Sequence, residues 1–262
     1  MVANNRKKVQ FVIFDQFIFA LEDGFAMAQH ENIACYKIVC YIYSITMKPR
    51  VKICCIASEE EARTAISFGA SALGLVAAMP SGPGPIPDDL ILQIARSVPP
   101  PIATFLLTCK TSAEAIIAHH RRTLTSTLQL VDAPDKGAYA AIRKELPYIK
   151  IVQVIHVRDE RSLDEALQAA AQVDALLLDS DNPSLVVKQL GGTGRVHDWR
   201  LSRMIVKQSP VPVFLAGGLH AGNVREAIDQ VQPFAVDLCS GVRTNGHLDP
   251  KKLEAFFNAV WE

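Results

Sequence analysis

The stretch VPVFLAGGLHAGNVREAIDQVQPFAVDLCSGV, residues 211–242, contains one complete structural unit of this chain. Two apolar runs, Val211–Leu215 and Phe234–Leu238, flank a stretch, Asn223–Val231, in which apolar residues recur with the period of a helix. Neither run alternates with polar residues, which is typical of strands that are buried on both faces. A strand, a helix and a second strand in this order predict two parallel strands joined by a right-handed crossover.

The same unit recurs from Val51 onward. We predict strands at Val51–Ile56, Ala72–Val76, Ile102–Leu107, Thr127–Val131, Ile149–Ile155, Ala175–Leu178, Val211–Leu215 and Phe234–Leu238. We predict helices at Glu59–Phe68, Asp88–Ser97, Ser112–His120, Tyr139–Leu146, Ser162–Ala171, Trp199–Lys207, Asn223–Val231 and Pro250–Val260. Eight such units predict an α/β fold, the (β/α)8 TIM barrel. The alternative is a doubly wound open sheet, which more often carries a G-x-G-x-x-G after its first strand, and this chain has none there.

The composition is that of a folded chain without a charge bias. Lysine and arginine (27) balance aspartate and glutamate (27), and 49% of the residues are hydrophobic. These values exclude a disordered chain and give no support for a nucleic-acid or membrane partner. No apolar run approaches the roughly 20 residues of a membrane-spanning helix. The six cysteines have the spacing of neither zinc knuckles nor a disulfide scaffold, so we expect reduced thiols and a cytoplasmic protein.

Residues 1–49 differ from the rest, and we predict an N-terminal extension of uncertain status followed by a barrel at 50–262. Eight of the 18 aromatic residues precede Met47. Two basic residues lead into an apolar stretch, as in a signal peptide, but Asp15 interrupts that stretch and no small-residue cleavage site follows. An alternative is that translation naturally starts at Met47, which the intact mass of natively expressed protein would test.

In a barrel of this kind the chemistry lies at the carboxyl ends of the strands. The first strand ends in Lys52-Ile53-Cys54-Cys55, and alternation predicts Lys52 and Cys54 on one face and Cys55 on the other. A cysteine there is either a base or nucleophile activated by a nearby cation, or a buried apolar side chain. Asp179 directly follows three leucines of the sixth strand and is either a cap or a working acid.

Glycines follow the seventh and eighth strands, as Gly217-Gly218 and Ser240-Gly241. Barrels commonly bind phosphate at these two positions through backbone N–H groups. The sequence therefore predicts a phosphate site formed by these four residues.

In this order, these residues resemble the phosphoribosylanthranilate isomerase family, from about Val51 to the end of the chain. The matching pieces are VKIC at 51–54, GASALGLV at 69–76, LLLDS at 176–180, GGTG at 191–194, LAGGL at 215–219 and PFAVDLCSGV at 233–242. The combination is much more specific than any one piece.

The resemblance implies a TIM barrel that rearranges an N-(5-phosphoribosyl) amine to a 1-amino-1-deoxyribulose 5-phosphate, a step of tryptophan biosynthesis. It implies Cys54 as the general base and Asp179 as the general acid, with no metal or organic cofactor. The partner is a small phosphorylated sugar, without nucleic acid or membrane, and the protein is a monomer or homodimer. We expect further substrate contacts from Lys52, Gln129, Gln153, Gly192 and Arg195.

The chain departs from the family pattern mainly on the side that recognises anthranilate. The loop after the second strand, residues 79–86, contains no cation, whereas the family carries a basic residue there for the anthranilate carboxylate. The family's His-Gly after the fourth strand is Val131-Asp132 here, and Cys55 replaces a glycine. A cation paired with a carboxylate is among the stronger polar contacts, so its loss weakens the case for anthranilate as the amine. Two alternatives stay open. One is an isomerase of a different phosphorylated sugar amine, and the other is a barrel that binds a phosphorylated metabolite without turnover.

A replacement cation would have to come from another loop of the same barrel face. His156, Lys188 and Arg195 are the candidates for this role.

Overall fold

Strand β8 pairs with β1, and this pairing closes eight parallel strands into a barrel in the order of the chain. The structure is a computed structural model that describes residues 48–80, 82–180 and 198–261. The strands are β1 (Arg50–Ile53), β2 (Ala72–Val76), β3 (Ala103–Thr108), β4 (Thr127–Leu130), β5 (Lys150–Val157), β6 (Ala175–Ser180), β7 (Val213–Leu215) and β8 (Ala235–Leu238). The predicted (β/α)8 barrel is confirmed, and the open sheet is excluded.

A helix follows each strand along the described chain. The helices are α1 (Glu59–Ser67), α2 (Asp88–Ser97), α3 (Ala113–Thr123), α4 (Ala138–Glu145), α5 (Arg161–Ala170), α6 (Trp199–Gln208), α7 (Val224–Val231) and α8 (Pro250–Trp261). A short 3₁₀ turn at Ser240–Val242 and a small hairpin of β9 (Arg243–Thr244) and β10 (His247–Leu248) lie between β8 and α8. In these described ranges, no helix has the length and apolarity needed to cross a membrane.

The predicted bounds of β2 and α2 are correct, and most others differ by one to three residues. Strand β1 ends at Ile53, three residues before the predicted end, because Cys55 has a φ of +62° and cannot continue an extended strand. Strand β6 runs on through Ser180 because Asp179 and Ser180 stay in register with β5.

Apolar side chains form one layer between the strands and the helices and a second layer inside the barrel. The inner layer also contains a buried ion pair: the Lys52 ammonium lies 2.9 Å from Asp237 Oδ2 and 5.2 Å from the ring centre of Phe105. A charge that loses its hydration is tolerated in a protein interior only when it is paired in this way. The pair is therefore part of the packed interior of the barrel.

Helix α6 begins where the sequence predicts it. Asp198 is its N-cap and accepts a hydrogen bond from the N–H of Arg200 at 2.9 Å. Residues 1–47 lie outside the described part of the chain, so the N-terminal extension, the signal peptide and the start at Met47 stay predictions.

Candidate active site

A pocket opens at the carboxyl ends of the barrel strands, with about 720 Å³ of empty space, open solvent included. Six of the predicted site residues line it: Cys54, Gln129, Asp179, Gly217, Gly218 and Ser240. Gly192 and Arg195, and also Lys188, lie outside the described residues. The two predicted catalytic side chains and most of the predicted phosphate site therefore share one pocket.

Cys54 follows β1 directly and is held in place by β8. Its N–H donates a hydrogen bond to the carbonyl of Leu238 at 2.8 Å, and its side chain is buried at the pocket wall. The thiol fits because residue 74 is glycine: a Cβ there would lie 2.7 Å from Cys54 Sγ and 3.1 Å from Lys52 Nζ. Gly74 thus gives the thiol and the buried ammonium room on the same side of the barrel.

Asp179 lies near the end of β6, beside His156 of β5, with which it is in register. Both side chains line the pocket, and Asp179 is buried whereas His156 is half-buried. One carboxylate oxygen of Asp179 accepts a hydrogen bond from the N–H of Ser180 at 2.8 Å. The carboxyl group is therefore fixed by its own strand and directed at the pocket.

The glycines after β7 have backbone conformations that a side chain would not easily adopt. Gly217 and Gly218 have φ values of +88° and +64°, and a Cβ on Gly217 would lie 2.9 Å from Ser180 Oγ. Among the described residues, neither of these two N–H groups donates a hydrogen bond. Two backbone donors at one edge of a pocket are suited to the oxygens of an anion such as phosphate.

Gly241 does not line the pocket, although Ser240 beside it does. Residue 241 packs so closely on the loop after β7 that any Cβ would collide with the carbonyl of Leu219. The absence of a Cβ at this position lets the loops after β7 and β8 pack together, and the contact of its backbone with phosphate stays a prediction.

Lys52 and Gln153 are not brought to the pocket lining. Lys52 is fully buried below it; burial lowers the pKa of Lys52, but the charges of Asp237 and Cys54 outweigh this and raise the pKa overall. Its ammonium is therefore retained. The Gln153 amide donates to backbone carbonyls around the end of β4 and accepts from the Tyr139 hydroxyl at 2.8 Å. Neither side chain lines the pocket, so a direct contact of either with the substrate stays a prediction.

Cys55 lies on the pocket side, which corrects the alternation argument. Two residues after the end of β1, its left-handed backbone turns the side chain back into the pocket wall. Its Sγ lies 2.6 Å from the Sγ of Cys239, the first residue after β8. The extended-strand rule failed here because the strand had already ended.

An ion pair that the sequence does not reveal fixes this turn. Arg243 and Glu61 form two hydrogen bonds of 2.9 Å, and the same guanidinium donates to the carbonyl of Cys55. Burial raises the pKa of Glu61, but the hydrogen bonds from Arg243 and from backbone N–H groups lower it overall. The two partners are 182 positions apart, so only the closed barrel brings them together.

The wall formed by β3, β4, β5 and the loop after β2 is mostly apolar, with lining residues Met79, Pro83, Leu107, Val131 and Val154. The polar side chains on this wall are Gln129 and His156. Gln129 Oε1 is buried and has no hydrogen-bond partner within the described ranges. No lysine or arginine of those ranges lines the pocket.

Comparison with known proteins gives a consistent result. A family model described as N-(5'phosphoribosyl)anthranilate (PRA) isomerase matches residues 51–259. The N-(5'-phosphoribosyl)anthranilate isomerase 2 of Methanosarcina mazei is 37% identical over 209 residues, which cover 79% of this chain and 92% of that protein. The phosphoribosyl anthranilate isomerase structure from Thermococcus kodakaraensis has a TM-score of 0.69 at 28% identity and covers 81% of this chain and 99% of that one.

Another similar structure contains a ligand related to the reaction. It is a phosphoribosyl anthranilate isomerase in complex with reduced 1-(o-carboxyphenylamino)-1-deoxyribulose 5-phosphate. Its TM-score is 0.66 at 27% identity, and the alignment covers 81% of this chain and 98% of that one.

Proposed function

The chain belongs to the N-(5'-phosphoribosyl)anthranilate isomerase family, and we propose how its pocket carries out the family reaction, an Amadori rearrangement in tryptophan biosynthesis. The observation that carries the proposal is that Cys54 and Asp179 line one pocket together with the glycine pair after β7. The substrate is N-(5-phosphoribosyl)anthranilate, a small phosphorylated sugar that carries an aromatic amine.

The phosphate of the substrate binds at the edge formed by the loops after β7 and β8. The N–H groups of Gly217 and Gly218 donate to its oxygens, and Ser240 lies on the same edge. Backbone donors of this kind are fixed before the substrate arrives, so they orient the ribose without reorganising. Gly241 packs against the carbonyl of Leu219 and so holds the loops after β7 and β8 together.

Asp179 then acts as the general acid. Its carboxyl group donates a proton to the ring oxygen of the ribose, and the C1′–oxygen bond breaks while the nitrogen lone pair forms a protonated Schiff base. Cys54 acts as the general base: its thiolate removes the proton from C2′ and leaves an enolamine, which tautomerises to the ketone product. An acid and a base in one pocket need opposite protonation states at the start, which different surroundings supply.

The aromatic ring of the substrate lies against the apolar wall, away from the phosphate edge. Gln129 and His156 are the polar groups that meet its amine and carboxylate. The buried Oε1 of Gln129 supports this assignment, since a buried acceptor is stabilised when a ligand supplies a donor. Gly192 and Arg195 remain proposed contacts from the loop before α6.

The test is turnover of freshly generated phosphoribosylanthranilate by the full-length protein and by Cys54→Ala and Asp179→Asn. We expect turnover by the wild type and a loss of at least about 100-fold in kcat for each variant. Cys109→Ala and Asp229→Asn are matched controls because neither side chain lines the pocket. Their activity should be that of the wild type.

Two results would contradict parts of this proposal. If the wild type does not turn this substrate over but ribose 5-phosphate raises its Tm, the phosphate site is retained and the aglycone is a different amine. Unchanged turnover in either site variant would exclude the assigned acid or base.

A further inference from the structure

Two thiols in the pocket wall have no part in the proposed isomerisation. Cys55 Sγ and Cys239 Sγ are in direct contact at 2.6 Å, and both residues line the pocket. Cys55 is buried, whereas Cys239 is partly exposed. Both are free cysteines. A partly exposed thiol in contact with a second thiol is the arrangement that thiol–disulfide exchange requires.

The barrel itself brings the two thiols together. Strands β1 and β8 are paired up to Ile53 and Leu238, and Cys54 continues the pairing through its N–H. Cys239 therefore directly follows the end of β8, next to the turn after β1. The left-handed conformation of Cys55 then directs its thiol to Cys239.

The charges around the pair distinguish the two sulfurs. The hydrogen bond with Cys55 lowers the pKa of Cys239, burial opposes this, and the Arg243 guanidinium lowers the pKa further. The hydrogen bonds of Cys55 with Cys239 and Cys54, together with burial, raise the pKa of Cys55. Cys239 is thus the thiol that is both more accessible and more readily ionised, so it is the one that attacks first.

We propose that Cys55 and Cys239 are a redox-active pair that forms a reversible disulfide beside the reaction pocket, with glutathione disulfide or a similar small disulfide as the oxidant. The Cys239 thiolate attacks one sulfur of the oxidant, whose S–S bond breaks and releases one thiolate. Cys55 gives its proton to solvent, and its sulfur attacks Cys239 in the mixed disulfide and releases the second thiolate. Two protein thiols are oxidised, and one small disulfide is reduced to two thiols.

The bond would join the turn after the first strand of the barrel to the residue after the last strand. It closes a loop between residues 184 positions apart, so it restricts the unfolded chain strongly. For a domain of this size we expect a rise in Tm of about 5 °C or more. Cys54 is not oxidised in this state, because the partner of Cys239 is Cys55.

The test uses the full-length protein equilibrated with glutathione disulfide and then alkylated, digested and analysed by mass spectrometry. We expect a cross-link between the peptides containing Cys55 and Cys239, the loss of two hydrogens, a higher Tm, and reversal of all three by dithiothreitol. Cys54→Ala should keep the cross-link, which assigns it to Cys55 rather than to its neighbour. Cys109→Ser is the control and should also keep it.

Cys55→Gly and Cys239→Ser should abolish both the cross-link and the rise in Tm. Cys55→Gly is the safer variant for folding, because glycine adopts a φ of +62° without strain. A stable glutathione adduct on Cys239 in the wild type, a disulfide between Cys54 and Cys55, or a cross-link without any change in Tm would overturn the proposal.

Discussion

The two sides of the pocket use different kinds of group. The side after β7 and β8 presents backbone N–H groups from Gly217 and Gly218, whereas the side formed by β3, β4 and β5 presents side chains, chiefly apolar ones with Gln129 and His156. A backbone site depends on conformation and on the absence of a Cβ, so its sequence pattern is easy to recognise. A side-chain site can be rebuilt in many ways, which explains why the family pattern is retained on the first side and altered on the second.

The largest effect should follow a change on the backbone side. We expect Gly217→Ala to reduce kcat/KM about 100-fold, because a Cβ would lie 2.9 Å from Ser180 Oγ and would displace the loop that we propose binds phosphate. Gly137→Ala is a matched control: Gly137 has a φ of +83°, and nothing lies within 4 Å of its Cβ position. Equal losses in both variants would mean that backbone strain alone, and not the pocket, causes the effect. Steady-state kinetics measure the loss of kcat/KM, and the rise in Tm with inorganic phosphate measures the loss of phosphate binding.

A smaller effect is expected on the side-chain side. Gln129→Met removes a buried carbonyl oxygen that lacks a partner in the described structure, so we expect Tm to stay equal or rise while kcat/KM falls about 10-fold. Gln93→Met, on the exposed face of α2, is the control. A fall in Tm without a change in kcat/KM would assign Gln129 to the fold and not to the substrate.

A cation added to the apolar wall should strengthen binding of an anthranilate carboxylate. We expect Met79→Arg to lower KM about 3-fold, since an exposed charge pair is worth less than about 1 kcal/mol. Met204→Arg, at an exposed position of α6, adds the same charge outside the pocket and should leave KM unchanged. An unchanged or higher KM in Met79→Arg would show that the carboxylate does not lie on this wall.

Removing the ion pair between Glu61 and Arg243 should have the smallest effect on activity and should act on stability instead. Glu61→Gln should lower the free energy of unfolding by about 1–2 kcal/mol at pH 7, because hydrogen bonds from Arg243 and backbone N–H groups favour the carboxylate. These bonds hold the pKa of Glu61 below its usual value, against burial. The advantage of the wild type is therefore present above the unfolded pKa of about 4.3 and is lost as the pH falls through the folded pKa.

Urea unfolding at neutral and acidic pH measures this difference. Glu226→Gln, an exposed glutamate on α7, should show no such dependence on pH. A difference between wild type and Glu61→Gln that stays constant down to pH 3 would contradict the assigned role of the carboxylate.

The sequence predicts the barrel well because its strands are continuous apolar runs and its helices are amphipathic. The rule that chemistry lies at carboxyl strand ends makes Cys54 and Asp179 candidates, and the family resemblance then assigns them the roles of base and acid. The rule does not suffice for Lys52 and Gln153, because whether a polar side chain faces the pocket or is bound by its neighbours depends on contacts such as those with Asp237 and Tyr139. Asp237 is distant from Lys52 in sequence, and Tyr139, 14 positions from Gln153, lies on a different element.

The position of Cys55 could not be predicted for a different reason. Alternation applies only within a strand; β1 ends at Ile53, and the positive φ of Cys55, two residues later, turns its own side chain toward the pocket. The contact with Cys239 follows from that local conformation together with the closure of the barrel, and neither is visible as a sequence pattern.

The most direct test of the central account is calorimetric binding of reduced 1-(o-carboxyphenylamino)-1-deoxyribulose 5-phosphate to Cys54→Ala. This ligand carries both the phosphate and the carboxyphenyl group, so it tests the two sides of the pocket together without chemistry. We predict binding within about 3-fold of the wild-type affinity, and competition by inorganic phosphate. Failure of the wild type to bind this ligand, or binding that phosphate does not weaken, would contradict the account.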